Sequence, residues 1–188
     1  MAQTTFDGPV KSLNGFIGAG PKMIQAITGT VSDSATNINK YQGKVLTISN
    51  ANTVFNLPAI VATADSGVSG PGSDPNTKNN VGLEYEFLVT ANLTGGNTFV
   101  LNAGTAAGHS VADVYVGMAI YNNTATDPGA VTAFAASLDT LTLDATTRGG
   151  LGGAHIKCRA VASLTWQIEA QLIGNGAFVT PFTLVLAS

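Results

Sequence analysis

The sequence predicts an all-β fold: a β-sandwich or barrel-like domain of about ten short strands, carrying an extended N-terminal arm. Three observations predict it. Charged residues make up only 10% of the 188-residue chain, against about 25% in ordinary soluble domains. Thr, Asn, Ser, Ala and 22 Gly take their place, whereas Lys, Glu, Arg and Gln are the usual fillers of exposed helix faces, so the mixture favours strands and turns. Apolar and polar residues alternate over repeated short runs, the mark of strands with one face in a core and the other in water. Clusters of Gly, Asn, Asp and Pro separate those runs, as turns do.

Taken from the start, residues 1–40 mix isolated apolar side chains (Phe6, Val10, Leu13, Phe16, Ile17) with Gly8, Pro9, Gly15, Gly18, Gly20 and Pro21. That spacing suits an arm lying along a surface. Within it, Pro21 to Ile27 reads as a short helix with Pro at its first position or as a strand, and the following Thr28 and Gly29 favour the strand. The body then occupies residues 41–188, with strands expected at 44–49, 53–57, 84–90, 98–101, 114–121, 130–134, 140–144, 155–160, 164–170 and 181–186. The clearest are the last long pair. Ile156, Cys158 and Ala160 alternate with His155, Lys157 and Arg159, and Leu164, Trp166 and Ile168 alternate with Thr165, Gln167 and Glu169. The two-residue link Ala162-Ser163 makes them a hairpin. Asn50-Ala51-Asn52, Gly95-Gly96-Asn97, Asp127-Pro128-Gly129, Gly149 to Gly153 and Gly174-Asn175-Gly176 read as turns, the fourth of them flexible. Residues 64–82 form a long Gly/Pro/Asn loop, a length that is functional or disordered in most compact domains.

Charge and cysteine content narrow the function classes. A formal net charge of −3 and a pI near 5.1 lack the basic patch that nucleic-acid binding needs. Residues 1–44 hold four Lys against two Asp, a mildly basic segment on an acidic body, which suits an acidic neighbour. Cys158 stands alone, so no intrachain disulfide is available, and assembly in a reducing cytosol is allowed. The N-terminus has neither the basic nor the apolar region of a secretory leader, and the uncharged stretch 45–64 holds too many Asn and a Pro to span a bilayer. No membrane role is expected.

Candidate chemistry is sparse. His109 follows a Gly-rich turn and His155 takes an outward strand position, neither within a metal-ligand or triad spacing. Glu84 and Glu86 share the outer face of one strand, a spacing that can pair carboxylates for glycoside hydrolysis, but no aromatic residues cluster about them. Solvated strand positions explain them better. Cys158 points inward as a small core residue. No catalytic residue, metal or cofactor is assigned.

Three stretches resemble known proteins. Thr5-Phe6-Asp7-Gly8-Pro9-Val10-Lys11-Ser12-Leu13-Asn14-Gly15-Phe16 is similar to N-termini of small virion proteins of tailed bacteriophages, marine and cyanobacterial ones above all. Gly43 to Ile48, Phe55 to Pro58 and Gly82 to Phe87 resemble a recurrent opening of phage head proteins, and Trp166 to Glu169, Gly174 to Gly176 and Pro181-Phe182 resemble their close. The resemblance implies a capsid decoration (cement) protein that sits on the outer surface of the virion shell, binds the major capsid protein, bridges neighbouring capsomers and forms a homo-oligomer, commonly a trimer. Phe6, Val10, Lys11, Leu13, Phe16 and Ile17 are then the expected capsid-binding residues. A tail-fibre or spike module contacting host glycans is the alternative, weakened by the inward placement of Trp166 and an aromatic content of 7%.

Overall fold

The computed structural model describes residues 23–33, 41–60, 81–103, 113–124, 130–133, 138–162 and 164–184. These residues are all-β: ten strands and no helix. The strands are β1 (Ile24–Ser32), β2 (Val45–Asn56), β3 (Glu84–Val89), β4 (Phe99–Asn102), β5 (Val114–Asn123), β6 (Ala130–Ala133), β7 (Thr140–Leu143), β8 (His155–Ala162), β9 (Thr165–Gly174) and β10 (Phe182–Thr183). One hydrogen-bonded sheet runs β10-β7-β4-β2-β3-β8-β9-β5-β6, with β1 paired to β2 off that path.

The sheet curls into a half-barrel around a single core. Alternate residues of the strands fill it: Leu46, Ile48 and Phe55 from β2, Tyr85, Phe87 and Val89 from β3, Ile156, Cys158 and Ala160 from β8, and Trp166, Ile168 and Leu172 from β9. Phe55 packs against two rings of β3, 5.6 Å from Tyr85 and 5.1 Å from Phe87, and Tyr85 lies 5.9 Å from Trp166. The curl brings β5 round to the chain entering β7. Tyr115 donates its N–H to the Leu138 carbonyl at 2.7 Å and its hydroxyl to the Leu101 carbonyl at 3.0 Å.

The expected hairpin is present, β8 and β9 pairing antiparallel from His155↔Gln171 to Ala162↔Thr165. Leu164, expected inside the strand, is instead the half-buried turn residue before it, with φ 57°. The two strands expected at 44–49 and 53–57 are one twelve-residue strand. Asn50 and Asn52 do not turn the chain there. Asn50 Oδ1 accepts the Thr94 N–H at 2.9 Å and Asn52 Oδ1 accepts the Thr98 N–H at 2.9 Å, so the side-chain bonds that make Asn a turn former serve a distant loop. Residues 24–32, inside the segment expected to be an arm, form β1 and pair parallel with β2. The glycine run after β7 is packed: a Cβ on Gly149, at φ 79°, would lie 2.4 Å from the Leu172 Cβ.

Four pairings are parallel, β1–β2, β2–β3, β2–β4 and β5–β9. The last demands a glycine. Gly117 sits opposite Ile168 at φ 130°, and any Cβ there would meet the Ile168 carbonyl oxygen at 2.1 Å.

Candidate functional site

The outer face of β3, β8 and β9 gathers most of the described charge. Eleven of the described residues are Asp, Glu, Lys or Arg. Asp33, Asp113 and Asp139 are buried, and Asp144 and Arg148 lie in the turn after β7. The other six are Lys44, Glu84, Glu86, Lys157, Arg159 and Glu169, and all of them line one depression of about 380 Å³ on this face.

Strand alternation and register build it. Odd-numbered residues of β8 and β9 and even-numbered residues of β3 point outward, because their neighbours are the core residues named above. Antiparallel pairing then sets Glu84 opposite Arg159, Glu86 opposite Lys157, and Lys157 opposite Glu169. An acidic strand thus lies beside a basic one. Arg159 Nε donates to Glu84 Oε1 at 2.6 Å, and its Nη2 contacts the same oxygen. His155 Nε2 lies 2.9 Å from Glu86 Oε1, a contact that is an ion pair only when the imidazole is protonated. Lys44 Nζ donates to the Gln25 side-chain oxygen at 2.8 Å.

The arrangement limits the chemistry on this face. Glu84 and Glu86 do share it, as expected, but each carboxylate is engaged by a group on β8, so they do not face each other across a cleft as paired acid and base must. His155, in the expected outward strand position, is held to Glu86. Cys158 lies on the opposite face of the same strand from His155, fully buried, and donates its S–H to the Tyr85 carbonyl at 3.7 Å. Burial pushes the thiol well above its ordinary value, with a small downward pull from that hydrogen bond. It is a core residue. Among the described residues, no three His, Cys, Asp or Glu side chains come together as metal ligands do.

The buried aspartates have structural bonds. Asp113 Oδ2 accepts the Ile60 N–H at 2.8 Å and the Trp166 indole N–H at 3.1 Å, and Asp33 accepts the Tyr85 hydroxyl at 2.8 Å. Asp144 gathers the Thr146, Thr147 and Arg148 N–H groups at 2.7–3.0 Å. Partial burial pushes its carboxyl up, but those hydrogen bonds outweigh it and hold the group below the usual carboxylate range.

The expected capsid-binding residues, Phe6, Val10, Lys11, Leu13, Phe16 and Ile17, lie outside the described residues, as do His109 and most of the 64–82 loop. Lys44, Lys157, Arg159 and Glu169 were not singled out by the sequence as a group. Their outward alternation is visible there, but the register that joins them is not. Compared with protein-family models, curated proteins and solved structures, the chain matches none.

Proposed function

We propose that the protein is a structural, non-catalytic component that works by docking onto protein surfaces, and that its setting is the outer surface of a tailed-bacteriophage capsid, where it bridges neighbouring capsomers as a homo-oligomer. The observation that carries this reading is the distribution of charge. Outside the β3–β8–β9 face, the only charged side chains on the described surface are Asp144 and Arg148, while Met23, Ile24, Met118 and Leu184 stand 48–74% exposed. A protein that stays alone in water spreads its charges over the whole surface and keeps apolar side chains and bare sheet edges guarded. Among the described residues, one face is built for water and the others are suited to being covered. The capsid setting, the major capsid protein as partner and the trimer come from the sequence resemblance.

The docking segment in this reading is residues 1–20. Extended, they reach up to about 65–70 Å, far enough to cross onto a neighbouring subunit, and Phe6, Val10, Leu13, Phe16 and Ile17 would each seat in a pocket of the shell with Lys11 beside an acidic group. The test is co-sedimentation with empty shells assembled from tailed-bacteriophage major capsid protein. The full chain should saturate the shells, and a chain lacking residues 1–20 that still melts as wild type should lose occupancy at least tenfold. Undiminished occupancy would rule out the arm as the anchor, and no binding of the full chain would rule out the capsid reading.

A further inference from the structure

The turn that ends β9 carries an Asn-Gly pair, Asn175-Gly176, and Asn14-Gly15 is the chain's other one. In such a pair the peptide nitrogen of the glycine can attack the side-chain carbonyl carbon of the asparagine, because no Cβ on the second residue blocks the approach. The target is free. The Asn175 side chain is exposed, and no described residue hydrogen-bonds to its amide. The nucleophile is held. The Gly176 N–H donates to the Thr146 carbonyl at 2.9 Å, beside the Asn175 N–H at 3.2 Å. The Tyr121 hydroxyl reaches both the Thr146 and the Gly176 carbonyl oxygens, at 3.0 and 3.1 Å, and Asn123 Nδ2 donates to the latter at 3.1 Å. Three parts of the fold thus meet in this clamp: Tyr121 and Asn123 on β5, Gly176 after β9, and Thr146 in the turn after β7, its own N–H donated to Asp144 Oδ1 at 2.9 Å.

We propose that Asn175 is a latent self-modification site, closed while this clamp holds and reactive once it opens. A carbonyl oxygen is too weak a base to take the Gly176 N–H proton, and with the Gly176 N–H and C=O both held, the nitrogen cannot turn toward the Asn175 side-chain carbon. When the clamp opens, the Gly176 nitrogen loses its proton to water or hydroxide and bonds to Asn175 Cγ. The Cγ–Nδ2 bond breaks, and the departing nitrogen takes up a proton and leaves as ammonia. Water then opens the cyclic imide at either carbonyl, giving an aspartate or, with the backbone routed through the side chain, an isoaspartate. Water is the only co-reactant. The isoaspartate inserts one backbone carbon between two N–H groups that share the Thr146 carbonyl, so the clamp cannot re-form as it was. Asn175 therefore turns a transient opening at the end of β9 into a lasting one. The site does not depend on the docking reading above.

The test is peptide mapping by mass spectrometry of the full chain held in mildly alkaline buffer, folded and in denaturant. Folded, conversion at Asn175 should be at least about tenfold slower than in denaturant, since it waits for local opening. Tyr121→Phe and Asn123→Ala each take one donor from the Gly176 carbonyl and should speed conversion several-fold in the folded chain. Asn102→Ala, which removes a hydrogen bond elsewhere in the sheet, should not, and this separates the clamp from a general loss of stability. Conversion as fast folded as unfolded, no acceleration in either clamp variant, or equal acceleration by Asn102→Ala each overturns the proposal. In a chain carrying Asn14→Gln, which leaves Asn175 as the one Asn-Gly site, protein converted in denaturant and refolded should melt below the unconverted protein. An unchanged melting temperature would overturn the lasting effect on the clamp.

Discussion

The two halves of the sheet hold their register by different chemistry. In β3, β8 and β9 the outward cross-strand contacts are ionic or nearly so, Arg159 to Glu84 and His155 to Glu86. In β1, β2, β4 and β7 they are neutral apart from Lys44, just before β2, whose amine donates to Gln25 on β1. Asn56 Nδ2 donates to the Ser32 hydroxyl oxygen at 2.9 Å, Asn102 Nδ2 donates to Asn56 Oδ1 at 2.8 Å, and the Thr140 hydroxyl lies 3.3 Å from Asn102 Oδ1. Those four residues are directly opposite one another across four strands. An amide and hydroxyl ladder fixes register without charge, which fits the proposed covering of this region. Ion pairs suit a face left in water.

Both halves close on one core, and the largest effect comes from breaking it. Trp166 is fully buried, packed at a tilt against Tyr85 and hydrogen-bonded to Asp113. Trp166→Ala should cost roughly 3–5 kcal/mol, in a single denaturant transition. Two transitions, or a loss below about 1 kcal/mol, would show that the halves are separately supported.

High pH should weaken that shared core next. Burial raises the Cys158 thiol above 9.0 and the Tyr85 and Tyr115 phenols above 10.0, the Tyr85 shift aided by its hydrogen bond to Asp33. A group raised on folding contributes fully below its ordinary value and loses that contribution as pH climbs through the raised one. Stability should therefore be flat from pH 7 to about 9 and then fall, by up to about 1.4 kcal/mol per pH unit for each group. Denaturant midpoints at pH 8, 9.5 and 10.5 measure it, and Tyr85→Phe should flatten the fall. An unchanged midpoint at pH 10.5 would contradict the burial of these groups.

Removing a rung of the neutral ladder should come third. Asn102→Ala deletes the donor to the half-buried Asn56 side-chain carbonyl oxygen, at about 1–3 kcal/mol, whereas the Thr140 hydroxyl keeps Asp139 Oδ1 at 2.9 Å as its acceptor. The loss should be the same at low and high salt, which separates this half from the charged one.

How much of this is legible in the sequence differs between the halves for a physical reason. The period-two pattern of 155–160 and 165–170 gives the faces of β8 and β9, and the short link gives their pairing, because the two strands of a hairpin are local. Parallel neighbours are not. Nothing local sets Asn56 beside Asn102, or turns residues 24–32 from an arm into an edge, since those pairings are decided by chain segments dozens of residues away. The same limit applies to the charged face. The outward positions of Glu84, Glu86, Lys157 and Arg159 can be read from alternation, but their meeting depends on the β3–β8 register across more than seventy residues.

The smallest effect expected is at the most conspicuous contact. Arg159 and Glu84 keep 59% and 53% of their side-chain surface in water. Attraction between exposed charges is weak at high dielectric, and holding two long side chains in one geometry costs entropy. Arg159→Gln should therefore change stability by less than about 1 kcal/mol, and the change should vanish by 1 M salt, where the screening length is about 3 Å. A double-mutant cycle with Glu84→Gln isolates the pair. A coupling that survives high salt would mean that this face is shielded from water in solution, and would reverse the assignment of which half is left in water and which is covered.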